Sequence, residues 1–122
     1  WASICPGNRE SGGKRLSGRT RQGNPWLKAA LAEAGWAASH TKGTYLSARY
    51  HNIARRRGRK KAVLAVGHTI LKVVHHLLSD PERKYADLGA DYYDKRRTSH
   101  LAVSLVRRLG KLGYQVQIDI VV

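Results

Sequence analysis

The 122-residue chain contains no Phe and no Met, one Cys, three Pro and eight acidic residues. Each shortage excludes something. The single thiol, Cys5, makes no internal disulfide, which points to a reducing compartment. As a chemical group, Cys5 reads first as a small buried thiol and only second as a nucleophile. No apolar run approaches the ~18 residues of a membrane span, and no signal peptide is visible at the start. Without Phe or Met, a core must be built from Leu, Val, Ile, Ala, three Trp and six Tyr. The length suits one domain, which can bury roughly two thirds of its extended surface. The chain opens on Trp1 rather than Met, so it reads as a processed chain or a piece of a longer one.

Acidic residues are scarce against 23 Lys and Arg, and the net charge is +15. The excess is uneven. It gathers in residues 1–24, 42–61 and 96–122, whereas 81–95 is slightly acidic. A polyanion is the natural partner, nucleic acid before acidic membrane.

Local signals predict a mainly α fold: a small domain of three to four helices, a glycine-rich basic opening loop and a possible terminal strand. Residues 5–24 carry Gly7, Gly12, Gly13, Gly18 and Gly23, which favour neither helix nor strand. Asn24 and Pro25 cap and open a helix over about 25–39, with Leu27, Ala30, Leu31, Ala34 and Ala38 on one face. That face is mostly alanine, so a neighbouring helix can come close. Thr44 caps a second helix over about 45–57, with a stripe of Leu46, Tyr50, Ile53 and Ala54, and Gly58 ends it. A third helix over about 60–79 repeats Val63, Leu64, Gly67, Ile70, Leu71, Val74, Leu77 and Leu78 at helical spacing. Asp80-Pro81 stops it. Residues 81–95 read as a polar loop with a short turn. A fourth helix over about 99–112 is expected to bury Leu101, Leu105, Leu109 and Leu112. Tyr114, Val116, Ile118, Ile120 and Val122 alternate as in a strand. The domain is taken as residues 1–113, with 114–122 a strand or tail.

Candidate chemistry is sparse. Six histidines invite a metal reading, but His68, His75 and His76 have no Cys or carboxylate at ligand spacing. Flank packing or phosphate contact suits them better. Asp87, Asp91 and Asp94 read as a solvated turn rather than a magnesium site. The run Arg55, Arg56, Arg57, Gly58, Arg59, Lys60, Lys61 is either a solvated face or a phosphate track, which gains by counterion release. Tyr45 and Tyr50 on the same helix serve packing or base stacking. In the opening loop, Ser11 precedes Gly12 and Gly13 and is followed by Lys14, Arg15, Arg19 and Arg21. Glycines let backbone N–H groups approach a phosphate, and guanidinium groups stabilise charge on phosphorus. A serine among such donors can attack a phosphodiester. On pattern alone, Ser-Gly in such a loop also reads simply as a loop.

The segment CPGNRESGGKRLSGRTRQGNPWLKAALAEAGWAAS, followed in order by KGTYLSARYHNIARRRGRKKAVLAVGHTILKVVHHLL and ADLGADYYDKR, resembles the C-terminal transposase domain of the insertion-sequence family IS-one-ten (also IS-one-sixteen). The resemblance covers residues 1 to about 97, with a looser match through RRLGKLGYQV. It implies a bacterial or archaeal, cytoplasmic and nucleoid-associated DNA recombinase that moves insertion elements. It implies an oligomer, guided by a structured bridge RNA that pairs with donor and target DNA. It implies a serine nucleophile in a P-x-x-x-x-S-G motif, which Pro6, Ser11 and Gly12 fit. Ser17-Gly18 does not fit, because Gly12 stands five residues before Ser17. Magnesium is expected on four carboxylates of an N-terminal RuvC-like domain, none of which is among these residues. No cofactor is expected here, and no membrane partner. The chain alone is expected to bind nucleic acid without recombining DNA. Two rivals also account for the charge: a non-catalytic basic helical nucleic-acid-binding module and a ribonucleoprotein component. Neither gives the serine a task.

Overall fold

A computed structural model describes residues 2–119. Its elements run β1 (Arg9–Ser11), β2 (Lys14–Ser17), α1 (Pro25–His40), α2 (Tyr45–Arg57), α3 (Arg59–Ser79), α4 (Tyr92–Arg96) and α5 (Thr98–Lys111). The fold is mainly α, with one two-stranded antiparallel sheet.

Capping fixes where the first helices begin. The Asn24 side chain accepts hydrogen bonds from the backbone N–H groups of Trp26 (3.0 Å) and Leu27 (3.1 Å), and Pro25 takes the first helical position. Thr44 accepts from the Ser47 N–H at 3.3 Å and so caps α2. Each cap satisfies an amide that the helix cannot, which is worth about 1 kcal/mol. Ser47 in turn donates its buried hydroxyl to the Ser39 carbonyl at 3.1 Å, tying the end of α1 to the start of α2.

Helix α3 is the centre of the molecule, packed by α1 on one side and α2 on the other. It meets α1 through glycine. A Cβ built on Gly67 would stand 2.8 Å from the Leu31 carbonyl oxygen, and one on Gly35 would stand 2.7 Å from the Val63 carbonyl oxygen. The two backbones are therefore in direct contact, which only the absence of side chains permits. Around this crossing lie two small cores. Ala2, Ile4 and Leu31 are buried together, with Leu27, Leu64, Ile70 and Leu71 packed on them. Tyr50, Ala62 and Val66 form the other, against Leu46, Ile53, Ala54 and Val63.

Several expectations need correction. The buried face of α1 is Leu31, Gly35 and Ser39 with half-buried Leu27 and Ala38, whereas Ala30 and Ala34 are exposed. A contact at glycine rotates the helix away from its alanines. On α3 the deepest residues are Ala62 and Val66, whereas Val74 and Leu78 are exposed because α1 and α2 do not reach that end. By length and composition α3 is long and apolar enough to cross a membrane, contrary to the expectation that no run approaches such a span, because its few charged residues lie at one end and at Lys72. Here α3 is the core helix. The opening segment is not all loop, since it folds into the β1–β2 hairpin. Residues 92–96 form the short helix α4 rather than a turn alone. Leu101, Leu105, Leu109 and Leu112 are exposed, because α5 packs only against α4. Tyr114–Asp119 shows no strand, having no partner edge; Ile120, Val121 and Val122 lie outside the described residues.

The glycine crossing makes a definite prediction. Gly67→Val forces a branched side chain against the Leu31 carbonyl and lowers unfolding free energy by about 1–3 kcal/mol. Gly67→Ala costs less, because Ala gains roughly 1 kcal/mol of helix propensity over Gly. Urea unfolding of the three proteins measures both, and an unchanged midpoint for Gly67→Val refutes the crossing.

Candidate nucleic-acid interface

The sequence Ser11-Gly12-Gly13-Lys14 closes the hairpin. Gly12 and Gly13 have φ of +55° and +73°, the backbone that two-residue hairpin turns of matching twist demand. Ser11 pairs directly with Lys14 across the turn. Directly opposed residues share one face of the ladder, so the Lys14 stem rises beside the serine hydroxyl. Arg9, two residues before Ser11, lies on that face as well. All three side chains are exposed.

Arg15 lies elsewhere. It pairs with Glu10, on the opposite face, and its guanidinium folds back over Gly18, with Nη2 3.3 Å from the point a Cβ there would occupy. The register slips between Arg9 and Glu10, leaving Leu16 as the extra residue of a bulge. The neck is clasped by the Gly7 N–H donating to the Arg19 carbonyl at 3.0 Å, and a side chain on Gly7 would collide with that carbonyl. The Arg19 N–H donates to the Ser17 hydroxyl at 3.2 Å. Arg19 and Arg21 thus stand at the base of the hairpin and Ser11 at its tip. Arg21 lines a pocket of about 400 Å³ with Cys5 and His68, where Cys5 Sγ lies 3.5 Å from His68 Nε2. Cys5 is exposed, not a buried thiol. The hairpin packs against none of the helices. It is held by its neck and by buried Ala2, Ser3 and Ile4 just before it.

The second basic region is the α2–α3 junction. Arg55, Arg56 and Arg57 end α2, and Arg59, Lys60 and Lys61 begin α3; all six are exposed. Cations at the end of α2 suit its dipole. Those at the start of α3 oppose its dipole, with no acidic residue in that first turn to offset them. Folding alone does not favour this placement.

An open cleft of about 850 Å³ begins beside this junction, between α2 and the start of α3 on one side and α4 and α5 on the other. Arg55 and Arg59 line one wall, Arg97 and Arg108 the other. The sequence reading named the first pair and missed the second. Its signal was available: α5 carries Arg107, Arg108 and Lys111 and no acidic residue.

A tyrosine-rich strap connects α3 to α5 and closes over the start of α2. Asp87 accepts hydrogen bonds from the Tyr45 N–H (3.0 Å), the Gly89 N–H (2.7 Å) and the Tyr85 hydroxyl (2.9 Å). These bonds, led by the Tyr45 amide at the positive end of α2, hold the Asp87 carboxyl below the usual carboxylate range. Tyr45 stacks on Tyr93 with ring centroids 6.0 Å apart and meets Tyr92 edge-on at 5.0 Å. Arg49 donates to the Tyr93 hydroxyl at 3.1 Å. Burial and the bond to Tyr93 push the Tyr45 phenol up. Tyr45 and Tyr50 are therefore packing residues, the latter buried in the core. Asp91 pairs with Lys95 at 2.6 Å. Among the described residues no three His, Cys, Asp or Glu gather where a metal ion could sit, so these residues do not fit a magnesium site.

The exposed hairpin tip thus carries a serine, two glycines and flanking cations, on a chain whose net charge is +15. Residues 1–51 match the family model described as Transposase IS116/IS110/IS902 family. The chain is similar to that family over those residues, which hold the hairpin, α1 and half of α2. Comparison with curated proteins and with solved structures gives no match.

The strap predicts a pH dependence. The folded Asp87 carboxyl lies below its unfolded value, so its contribution is complete above the ordinary carboxylate range of about 4 and fades as pH falls through the lowered value. Asp87→Asn keeps an acceptor and removes the charge. Urea unfolding is expected to find the variant weaker than wild type at pH 7, with the gap shrinking as pH falls below the ordinary carboxylate range. A gap that is absent at pH 7, or persists undiminished in acid, contradicts the assignment.

Proposed function

We propose that the chain is the part of an insertion-sequence transposase that supplies a serine nucleophile, Ser11, and binds DNA and a structured bridge RNA. The observation that carries this reading is the placement of Ser11 at the exposed tip of a two-residue glycine turn, opposite Lys14, in the segment that matches the family.

The chemistry follows from that placement. Ser11 Oγ attacks phosphorus as the P–O3′ bond breaks, leaving a 5′-phosphoseryl link and a free 3′ hydroxyl. The serine proton leaves with the departing oxygen. A 3′ hydroxyl from the partner strand then attacks the phosphoserine, restoring a diester and freeing Oγ. No bond energy is lost, so strands exchange without hydrolysis. Lys14, with Arg9 beside it, stabilises the charge that builds on the phosphoryl oxygens, and the open backbone of Gly12 and Gly13 lets the phosphate come close. Arg19 and Arg21 hold flanking phosphates at the neck. Arg55, Arg56, Arg57, Arg59, Lys60 and Lys61 follow the nucleic-acid backbone. Magnesium belongs to carboxylates outside this chain, and oligomerisation brings the exchanging strands together.

A purely binding module uses the same cations but leaves the tip serine idle. The two readings part in one experiment. In the full-length transposase with its element, Ser11→Ala is expected to lower strand exchange by ~1,000-fold or more and to abolish the covalent protein–DNA adduct. Ser17→Ala retains both. Wild-type exchange by Ser11→Ala refutes the nucleophile.

A further inference from the structure

We infer that the cleft between α2 and α5 binds a single nucleic-acid strand by its phosphodiester backbone, at a site separate from the Ser11 hairpin. The inference rests on the nucleic-acid-binding part of the reading above and not on its chemistry.

Three observations carry it. First, both walls are cationic. Arg55 and Arg59 face the cleft from α2 and α3, and Arg97 and Arg108 from α5 and the residue before it, with His51 and His100 adding imidazoles on either side. Against them stands one carboxylate, Asp94. Second, these cations are unspent. Among the described residues the ion pairs are Arg83 with Asp80 and Lys95 with Asp91, and neither draws on the cleft arginines. Like charges held on facing walls repel, and an anion between them removes the repulsion. Third, the size selects the ligand. A volume of about 850 Å³ lies within the ~300–1,000 Å³ of pockets that take small molecules. That suits a few nucleotides of one strand. A duplex presents two backbones across a major groove ~12 Å wide, which calls for an inserted element rather than a walled cleft.

The hairpin takes no part in this cleft. No residue before Ala48 lines it. The phosphates held here are therefore bound by residues other than those around Ser11.

The test uses the whole chain and fluorescence anisotropy with a 12-nucleotide oligothymidylate, the matching oligouridylate and a 12-base-pair duplex, over a salt series. Arg97→Ala/Arg108→Ala is expected to flatten the slope of log K against log salt for a single strand by ~1.4, at ~0.7 per lost phosphate contact. Arg97→Lys/Arg108→Lys restores the slope, which loss of folding would not. Ser17→Ala, outside both sites, leaves it unchanged. Comparing the DNA and RNA oligomers tells which sugar the cleft accepts. An unaltered slope in the double alanine variant overturns the inference, as does an equal or larger loss with the duplex. Either result leaves the nucleophile assignment standing, and retained strand exchange by Ser11→Ala leaves the cleft standing.

Discussion

Everything in the helical body depends on how closely α1 and α3 pass. Backbone meets backbone at Gly35 and Gly67, and that contact sets the distance at which every other group must fit. With α3 drawn in, Ile4 and Ala2 close over Leu31 from one side, and Tyr50 reaches Ala62 and Val66 from the other. A chain without Phe or Met has few large groups to spend on a core. Close approach of small residues is the alternative, because dispersion depends on the number of atoms in contact and not on the size of any one side chain. The cost is tolerance. Contacts between main chains cannot re-pack by changing rotamer.

The same physics explains what the sequence revealed. Asn24, Thr44 and the Leu46–Tyr50–Ile53–Ala54 stripe were legible because capping and periodicity are local. The buried face of α1 was not, since glycine carries no hydrophobic signal and the alanines beside it do. Ala62 and Val66 were hidden likewise: a helix packed on two sides buries a broad sector, and its deepest positions hold its smallest residues. The leucines of α5 have the spacing of a buried face, yet spacing says nothing of what is available to cover them. For the site, the serine and its glycines were readable at residue level, while the ladder was not. Only the register brings Lys14 and Arg9 to the face of Ser11 and turns Arg15 away.

Charge placement separates folding from function. Cations at the end of α2 agree with the helix field and need no further cause. Arg59, Lys60 and Lys61 oppose it at the start of α3, each at a cost of about 0.3–1 kcal/mol. Arg97 and Arg108 likewise gain no ion pair among the described residues. Folding gains little from these cations, and three of them, Arg59, Arg97 and Arg108, line one cleft. Asp87 shows the opposite use of charge. It sits where a carboxylate is favoured, over the first turn of α2, and so ties a segment 42 positions away to that helix.

Because the hairpin touches no helix, its opening and the melting of the body are separable transitions, linked through the Gly7–Arg19 clasp and the buried Ala2–Ile4 segment before it. Isolated two-stranded ribbons are marginal in water. The tip therefore samples open forms far more often than the helices do, and amide exchange there reports on the ribbon alone. Evolution can rewrite the tip and leave the scaffold's thermal tolerance where it was.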